Sequence, residues 1–414
     1  MKSPNLKIIG NNFLVNTLLW IAKNCGVLHN ANMKKQTLKC ASFFAGVGGI
    51  DLGFEQAGFE TVYANEFDSY AAETFELNFN IKVDRRDINI VQPDEIPDFD
   101  ILLAGFPCQA FSVAGYRKGF DDEKGRGNLF FQLIRFIENK KPRIAFFENV
   151  KNLVGHDNGN TFRVICQVLD SLGYKYVSQV LNADQFGNVP QNRERIYIVA
   201  FRNEEDKKLF SMPNSIPLTK KICNVIDFEN PVADKYYYTK DRCCFYDKLE
   251  ESIKNSETIY QWRRKYVREN KSQVVPTLTA NMGEGGHNVP LILTKDGHIR
   301  KLTPRECFNV QGYPSTFKLP NQSDCRLYKQ AGNSVVVPVI KRIADNIRDV
   351  VSTVDNSNSI DLHLSKAQAT ALLQAIYLYK QSNDKSEDKR VLEPVNNELI
   401  LQLEDVPEKL VLAN

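Results

Sequence analysis

The chain has few residues suited to metal binding. Its nine cysteines include no Cys-x-x-Cys pair and no metal-ligand spacing with the five histidines. The adjacent Cys243 and Cys244 suit neither a zinc site nor an ordinary disulfide. We therefore expect no metal centre. Because the sequence also lacks a secretory signal pattern, we expect a cytoplasmic protein with reduced thiols.

The chain also lacks an excess of one charge and a long apolar run. Lys and Arg number 53 and Asp and Glu 50, a net charge of +3, so any nucleic-acid binding must come from a local basic face. The apolar stretch 13–21 is short and interrupted, which predicts an amphipathic helix rather than a membrane span. A length of 414 residues allows two compact domains.

Apolar strands alternate with helical periodicity from about residue 38 to residue 202. This alternation predicts an α/β fold with a doubly wound, mostly parallel sheet. The predicted strands are 38–44, 60–65, 81–84, 99–103, 143–148, 175–181 and 195–201, and the predicted helices are 49–57, 69–78, 128–138 and 161–172.

The pattern also predicts how the chain is divided. The predicted segments are an N-terminal extension (1–36), a catalytic and cofactor-binding domain (37–202), a smaller irregular domain (203–298), a hinge and C-terminal return (299–353) and a C-terminal extension (354–414). We expect one amphipathic helix over 333–353, entered through Asn333 and Ser334. A translation start at Met33 instead of Met1 is an open alternative.

Cys108 lies in a turn that follows an apolar strand, within residues 107–109 (Pro-Cys-Gln). Open α/β sheets build their active sites at the carboxyl ends of strands, so this position favours an accessible, reactive thiol. A small buried core cysteine is equally compatible with the tripeptide alone.

A second strand breaks into glycines over residues 43–50 and then enters a helix. Glycine lets the backbone approach a ligand closely, and a helix N-terminus favours polar groups. Glu66 follows the next strand, where a ribose diol is bound in such folds, and Asp87 follows the third. Each acid alone could be a surface cap, but the series predicts an adenosine-containing cofactor.

These motifs together resemble the DNA (cytosine-5)-methyltransferases, especially the bacterial restriction-modification enzymes. The matching residues stand in the order usual for that family over about 38–350: 44–49, Glu66, Asp87, 107–109, 148–150 (Glu-Asn-Val), 191–195 (Gln-Asn-Arg-Glu-Arg), 305–306, 311–314 and 332–334 (Gly-Asn-Ser). The two termini depart from the family.

The resemblance implies a Rossmann-like fold that binds S-adenosylmethionine and releases S-adenosylhomocysteine. Phe44, Gly46 and Gly48 would line the cofactor pocket, and Glu66 would hold the ribose. The remaining cofactor residues would be Asp87 and Ile88 at the adenine, with Pro107, Leu129, Asn333 and Ser334 closing the site.

The resemblance also implies covalent chemistry at cytosine. The Cys108 thiolate would add to C6, and the Glu148 carboxyl would lend a proton to N3. Arg195, together with Arg193, would orient the base and stabilise the developing anion. Without the resemblance, the sequence favours a plain strand-end acid at Glu148.

An atom inside a duplex is out of reach of such a pocket, so the resemblance implies base flipping from double-stranded DNA. Segment 112–128 would be a mobile lid, and the DNA-contacting residues would be Gln109, Ser112 and Arg117. Region 203–298 would be the target-recognition domain, with Arg264, Thr277 and Thr279 at the DNA. Residues 236–238 and 262–268 mix aromatics with cations, although core packing gives the same composition.

The resulting hypothesis is a monomeric, sequence-specific enzyme that is the modification partner of a restriction endonuclease. RNA cytosine methylation on the same scaffold is a second hypothesis, and the full-size region 203–298 argues against it. A DNA-binding regulator without catalysis is a third hypothesis, and the intact Cys108, Glu148 and Arg195 argue against that.

Overall fold

The alternating apolar runs form the strands of one central sheet in a computed structural model of the chain. The structure describes residues 5–9, 37–107, 129–263, 265–283 and 289–363, with only the backbone described in 5–9 and 354–363. The strands are β1 Asn5–Ile9, β2 Lys39–Phe43, β3 Glu60–Asn65, β4 Ile101–Ala104, β5 Ile144–Val150, β6 Lys175–Asn182, β7 Glu194–Phe201, β8 Ile259–Trp262, β9 Val267–Asn270, β10 Leu291–Leu293, β11 Ile299–Lys301 and β12 Ser359–His363.

The helices lie close to the predicted positions where periodicity is strong. They are α1 Gly49–Gln56, α2 Ser69–Asn78, α3 Leu129–Lys140, α4 Asn160–Ser171, α5 Ala183–Phe186, α6 Glu204–Leu209, α7 Tyr246–Ser252, α8 Pro304–Val310, α9 Asp324–Asn333 and α10 Val337–Asn358.

The central sheet has the order β3-β2-β4-β5-β7-β6. Neighbours from β3 to β5 are parallel, and β7 pairs antiparallel with both β5 and β6. The chain runs outward from β2 to β3 and then returns to β4 on the other side of β2. Ligands of doubly wound sheets bind at such a reversal, and the predicted mostly parallel, doubly wound fold is confirmed.

Both faces of the sheet are covered by helices. Phe146 of β5 packs edge-on against Phe54 of α1, with ring centroids 5.2 Å apart. The next residue, Phe147, points to the opposite face, where it packs 5.9 Å from Phe130 of α3. This two-sided burial explains why β5 is apolar without alternation.

The predicted strand 81–84 is wrong. Only Asp84 makes a bridge, to Asn65, and it exchanges backbone hydrogen bonds with Ala64 and Glu66. The Val83 amide donates to the Glu76 carboxylate at 3.0 Å. The Glu76 side chain thus accepts the hydrogen bond that the Val83 amide would donate to a neighbouring strand, and the pairing is limited to one residue.

The predicted single helix over 333–353 is also wrong at its start. Asn333 ends α9, Ser334 is extended with φ −75° and ψ 178°, and α10 begins only at Val337. Pro338 lies in the first turn of α10, where a missing amide hydrogen costs nothing. Residues 334–336 therefore form a connection between two helices.

The region after residue 203 contains a small sheet of order β11-β10-β8-β9. Trp262 stacks on Phe245 with centroids 4.3 Å apart, and Tyr236 is also buried. Both aromatics are thus part of the hydrophobic core, Trp262 within this region and Tyr236 in a cluster that also contains Phe75 of α2. A fully buried ion pair joins Arg300 of β11 to Glu306 of α8 through contacts of 2.8 and 2.7 Å.

The chain separates into two compact units, Thr37–Arg348 and a unit formed by Met1–Gln36 with Asp349–Asn414. In the second unit, β1 pairs antiparallel with β12, so that Asn5 faces His363 and Ile9 faces Ser359. The finer domain division within residues 37–353 stays a prediction.

Within the described ranges, no helix is both long enough and apolar enough to span a membrane. The same ranges contain no group of three or more His, Cys, Asp or Glu side chains that could hold a metal ion.

Candidate active site and cofactor cavity

A cavity of about 480 Å³ lies where β2, β4 and β5 end, at the reversal in strand order. Because β7 is antiparallel to β5, its first residues reach the same edge. The lining therefore combines early and late parts of the chain: Phe44, Ala45, Gly46, Val47, Gly49, Ile50, Glu66, Asp68, Ala71, Gly105, Phe106, Pro107, Glu148, Asn149, Val150, Arg193, Arg195, Lys329, Gln330, Gly332, Asn333, Ser334 and Val335.

Glu66 is fixed by the backbone on both of its oxygens. The Gly46 amide donates to Oε2 and the Asp68 amide to Oε1, each at 2.8 Å. Gly46 has φ 57°, which turns its amide toward the carboxylate at no steric cost. Burial raises the pKa of Glu66, while the two amide donors oppose that rise. The remaining lone pairs of the carboxylate can accept hydroxyl groups from a ligand in the cavity.

The glycine turn packs directly on a segment from far along the chain. A Cβ on Gly49 would lie 2.4 Å from Tyr313 Oη and 2.9 Å from Ser334 Oγ. Tyr313 and Ser334 also hydrogen-bond to each other. Glycine at 49 thus lets residues 332–335 close the cavity beside β2.

Glu148 and Arg195 lie side by side on β5 and β7. Arg195 Nε is 3.2 Å from Glu148 Oε1, and both side chains are largely buried. Burial raises the pKa of Glu148, with Arg195 and Arg193 acting in the opposite direction. The carboxyl is therefore a better proton donor than an exposed glutamate, and a cation orients it, which suits proton donation to a bound ring.

Asn149 connects this pair to the turn that precedes Cys108. Its side-chain amide donates to the Phe106 carbonyl at 2.8 Å. The backbone of residues 105–107 is thereby fixed against β5.

Arg193 is buried, and its guanidinium is used by the main chain. It donates to the carbonyls of Leu278 at 2.8 Å, Gly332 at 3.0 Å and Ser334. Burial, followed by the charge of Arg195, lowers the pKa of Arg193 to about 9. These bonds hold the main chain around the cavity, which Arg193 also lines, and the base contact expected from the sequence stays a prediction.

Only some of the other cofactor residues expected from the sequence line the cavity. Phe44 and Pro107 line the cavity, whereas Gly48 precedes α1 with φ 84° and packs on Phe79. The structure does not bring the following residues into the lining. Asp87 is exposed and accepts from Asn89, Ile88 is buried in the core, and Leu129 begins α3 and packs against the same core.

A model of the C-5 cytosine-specific DNA methylase family matches residues 38–349. The chain belongs to this family. It is an enzyme of the DNA cytosine-5 methyltransferase kind.

Curated relatives of this methyltransferase are type II enzymes. The chain is 64% identical over 311 residues to the type II methyltransferase M.Bsp6I of Bacillus sp. (strain RFL6), covering 75% of this chain and 98% of the relative. It is 40% identical over 327 residues to the type II methyltransferase M.HhaI of Haemophilus parahaemolyticus, covering 75% and 94%.

Solved structures share the fold at low identity. A mutant of Spodoptera frugiperda DNMT2 superposes with a TM-score of 0.59 at 20% identity, covering 75% of this chain and 100% of the other. The Entamoeba histolytica methyltransferase EhMeth gives 0.56 at 18%, covering 77% and 99%.

Two predicted DNA contacts of the methyltransferase lie in its described part. Thr277 and Thr279 are both exposed. The Thr277 hydroxyl donates to the Asn192 carbonyl at 2.6 Å, and the Thr279 hydroxyl donates to Asn281 at 2.7 Å. The other predicted residues of the catalytic and DNA-contacting sets lie outside the described residues: Cys108, Gln109, Ser112, Arg117 and Arg264.

Sequence reasoning missed part of the cavity wall. Lys329 of α9 donates to Asp68 at 3.1 Å, and the Gln330 side chain accepts from Thr74 at 2.8 Å. Lys329 lies four positions before Asn333, on the same helical face, which is the signal that could have identified it.

Proposed function

We propose that the chain is a sequence-specific DNA cytosine-5 methyltransferase that uses S-adenosylmethionine and protects DNA from a cognate restriction endonuclease. The observation that carries the proposal is the convergence of Glu66 with the Glu148–Arg195 pair in one cavity at the reversal in strand order. The 64% identity to the type II methyltransferase M.Bsp6I supports the modification role. We infer a monomer that acts in the cytoplasm.

The cavity suits S-adenosylmethionine by shape and charge. Glu66 would hold the ribose hydroxyls, and the turn at Gly46 would allow close approach of the backbone. Asn333 and Ser334 would close the opposite wall. When bound, the cofactor supplies an electrophilic methyl group to the base.

The protein supplies the activation of the base. The Cys108 thiolate adds to C6 of cytosine, and the electron pair of the C5–C6 double bond becomes available at C5. Glu148 donates a proton to N3. Arg195, which contacts the Glu148 carboxyl, would orient the base and stabilise the developing anion. After transfer to C5, a water molecule accepts the C5 proton, the C–H electron pair restores the C5–C6 double bond, and the C6–S bond breaks to release the Cys108 thiolate. N3 then returns its proton to Glu148.

Access to the ring requires a flipped base, and we assign this step to segment 112–128 with Gln109, Ser112 and Arg117 at the DNA. Residues 203–298 would read the sequence, with Arg264, Thr277 and Thr279 among their contacts. Residues 299–353 would join that domain back to the catalytic domain of 37–202.

Expression in a bacterial host followed by bisulfite sequencing of plasmid tests this function. We expect one short sequence to be methylated at a single cytosine. A parallel assay transfers labelled methyl groups to duplex DNA and to tRNA. Label on tRNA alone would replace the DNA assignment with RNA methylation, and label on neither would refute the function.

Cys108→Ala should abolish methyl transfer, because no other step makes C5 nucleophilic. Binding of S-adenosylmethionine, measured by calorimetry, should survive. Cys244→Ala is the control, because this cysteine is exposed and lies outside the cavity lining. Transfer by the Cys108 variant at the parental rate would exclude the covalent route.

A further inference from the structure

The Arg193 side chain hydrogen-bonds to two segments that are far apart in the sequence. Its Nη1 donates to the carbonyl of Leu278, in region 203–298, at 2.8 Å. Its Nη2 donates to the carbonyls of Gly332, at 3.0 Å, and Ser334, both in the cavity wall. With only 3% of the residue exposed, a single, largely buried charge bridges the two segments.

The Leu278 side of this bridge is the segment proposed to contact DNA. The neighbouring Thr277 hydroxyl donates to the Asn192 carbonyl at 2.6 Å. The Asn192 amide in turn donates to the Val275 carbonyl at 2.8 Å. Residues 275 and 277 are therefore hydrogen-bonded to the backbone of Asn192, the residue that precedes Arg193.

The Gly332 side of the bridge touches the same segment without an intervening side chain. A Cβ on Gly332 would lie 2.2 Å from the Thr279 carbonyl carbon and 2.4 Å from the Ala280 nitrogen. A Cβ on Gly283 would lie 2.6 Å from Cys325 Cα, at the other end of α9. Backbone contact at two points leaves little room for α9 and Ala280–Gly283 to move independently.

The other end of this connection is the cofactor cavity. Lys329 of α9 pairs with Asp68 at 3.1 Å, and Asp68 follows the ribose-binding candidate Glu66. Ser334, whose carbonyl Arg193 holds, packs beside Gly49 of the glycine turn. One helix thus contacts the cofactor cavity on one side and the recognition backbone on the other.

We propose that Arg193 is a positioning residue that couples the two sites, so that a ligand in the cofactor cavity tightens DNA binding through residues 277–283. This inference rests on the proposed function. A lysine at 193 carries the charge but cannot direct planar donors at three carbonyls, so it should weaken the coupling.

The test measures duplex affinity with and without S-adenosylhomocysteine, the cofactor product. The duplex carries the sequence that bisulfite sequencing identifies. For the parent we expect the dissociation constant of the duplex to fall by about fivefold or more when S-adenosylhomocysteine is present. For Arg193→Lys we expect that ratio to approach one.

Arg342→Lys is the matched control. Arg342 also donates to two backbone carbonyls, those of Phe186 at 2.7 Å and Asn214 at 2.9 Å, and it lies outside the cavity lining. This control should keep the parental ratio. An unchanged ratio in Arg193→Lys, or a ratio of one in the parent, overturns the coupling. A fall in kcat with the ratio unchanged would instead assign Arg193 to the base.

Hydrogen exchange on the parent protein keeps the proposal testable if the Arg193 variant does not fold. S-adenosylhomocysteine alone should slow exchange of the amides of residues 277–283. Unchanged exchange there, with protection at Gly46 and Asp68, would show cofactor binding without coupling and overturn the inference. Because it uses no DNA, this result is distinct from a failure of the proposed function.

Discussion

Glu148 combines two opposing influences in one side chain. Burial favours its neutral form, whereas Arg195, at 3.2 Å, favours the carboxylate. Burial is the larger effect, so the pKa of Glu148 is raised. The proposed proton donor therefore keeps its proton to a higher pH than an exposed glutamate would.

Glu148→Gln should lower kcat by about 100-fold or more, since an amide cannot lend the proton. The parental rate should fall as pH rises through the raised pKa of Glu148, and the variant should lose this limb. Steady-state methyl transfer over a pH series measures both effects. Glu194→Gln is the control, because Glu194 lies nearby on β7 and pairs with the exposed Lys151. Parental kcat in Glu148→Gln would remove the proton-donor role.

Asp51 is a second buried acid, and no part of the chemistry uses it. It is fully buried in α1 and accepts hydrogen bonds from Ser42 at 2.9 Å and Thr61 at 3.4 Å. Burial raises the pKa of Asp51 to about 7. The stability that its neutral form contributes is present below pH 4 and is lost as pH rises through about 7.

Asp51→Asn should therefore stabilise the protein increasingly with pH, because the amide stays neutral. Between pH 5 and pH 8 the difference in unfolding free energy between variant and parent should grow by roughly 2–3 kcal/mol. Urea denaturation at each pH measures it. A difference that is constant over this range would contradict a raised pKa for Asp51.

At the scale of elements, the strands with strong apolar patterns could be predicted from the sequence, whereas the boundary between α9 and α10 could not. β2, β3 and β5 are short apolar runs bounded by turn residues, so their sequence alone indicates buried strands. The break at Ser334 depends on hydrogen bonds to Arg193 and Tyr313, which no local pattern encodes.

The candidate site divides in the same way. Glu66 follows β3 and was indicated by its position after a strand, whereas Glu148, near the end of β5, was assigned only through the family resemblance. Lys329 and Gln330 reach the cavity only through the path of α9 around the sheet. The aromatics Tyr236 and Trp262 were ambiguous between DNA contact and core, and both are buried in the core.

The link between β11 and α8 makes a testable contribution to stability. Glu306→Gln leaves the fully buried Arg300 without a counter-charge, which should cost about 3–5 kcal/mol in unfolding free energy. Lys208→Ala removes the exposed pair with Glu204 at 3.3 Å and should change stability by about 0.5 kcal/mol or less. Chemical denaturation measures the unfolding free energy of both variants. Equal losses would mean that the buried Arg300–Glu306 pair contributes no more to stability than an exposed pair.

At the scale of the whole molecule, the family match covers residues 38–349, and the terminal regions form a unit of their own. The cavity lining comes entirely from the larger unit, Thr37–Arg348. The β1–β12 pair supplies no residue to that lining.

Removal of residues 1–32 should therefore leave methyl transfer within about twofold of the parent, although β12 loses its partner strand. Labelled-methyl assays at equal protein concentration measure this, with circular dichroism as a check on folding. A loss of tenfold or more in a folded truncation would assign the N-terminal region a part in catalysis.

The dependence of the cavity on α9 has a consequence for biosynthesis. Thr74 and Gln330 hydrogen-bond across 256 positions of sequence, and the wall at residues 329–335 is made last. A nascent chain can form β2 to β5 on the ribosome, but its cavity stays open on one side until the 330s emerge. Contacts of such separation are slow to form. We therefore expect no methyl transfer from a nascent chain before the 330s emerge, and a chain truncated before residue 329 should lack a complete cavity.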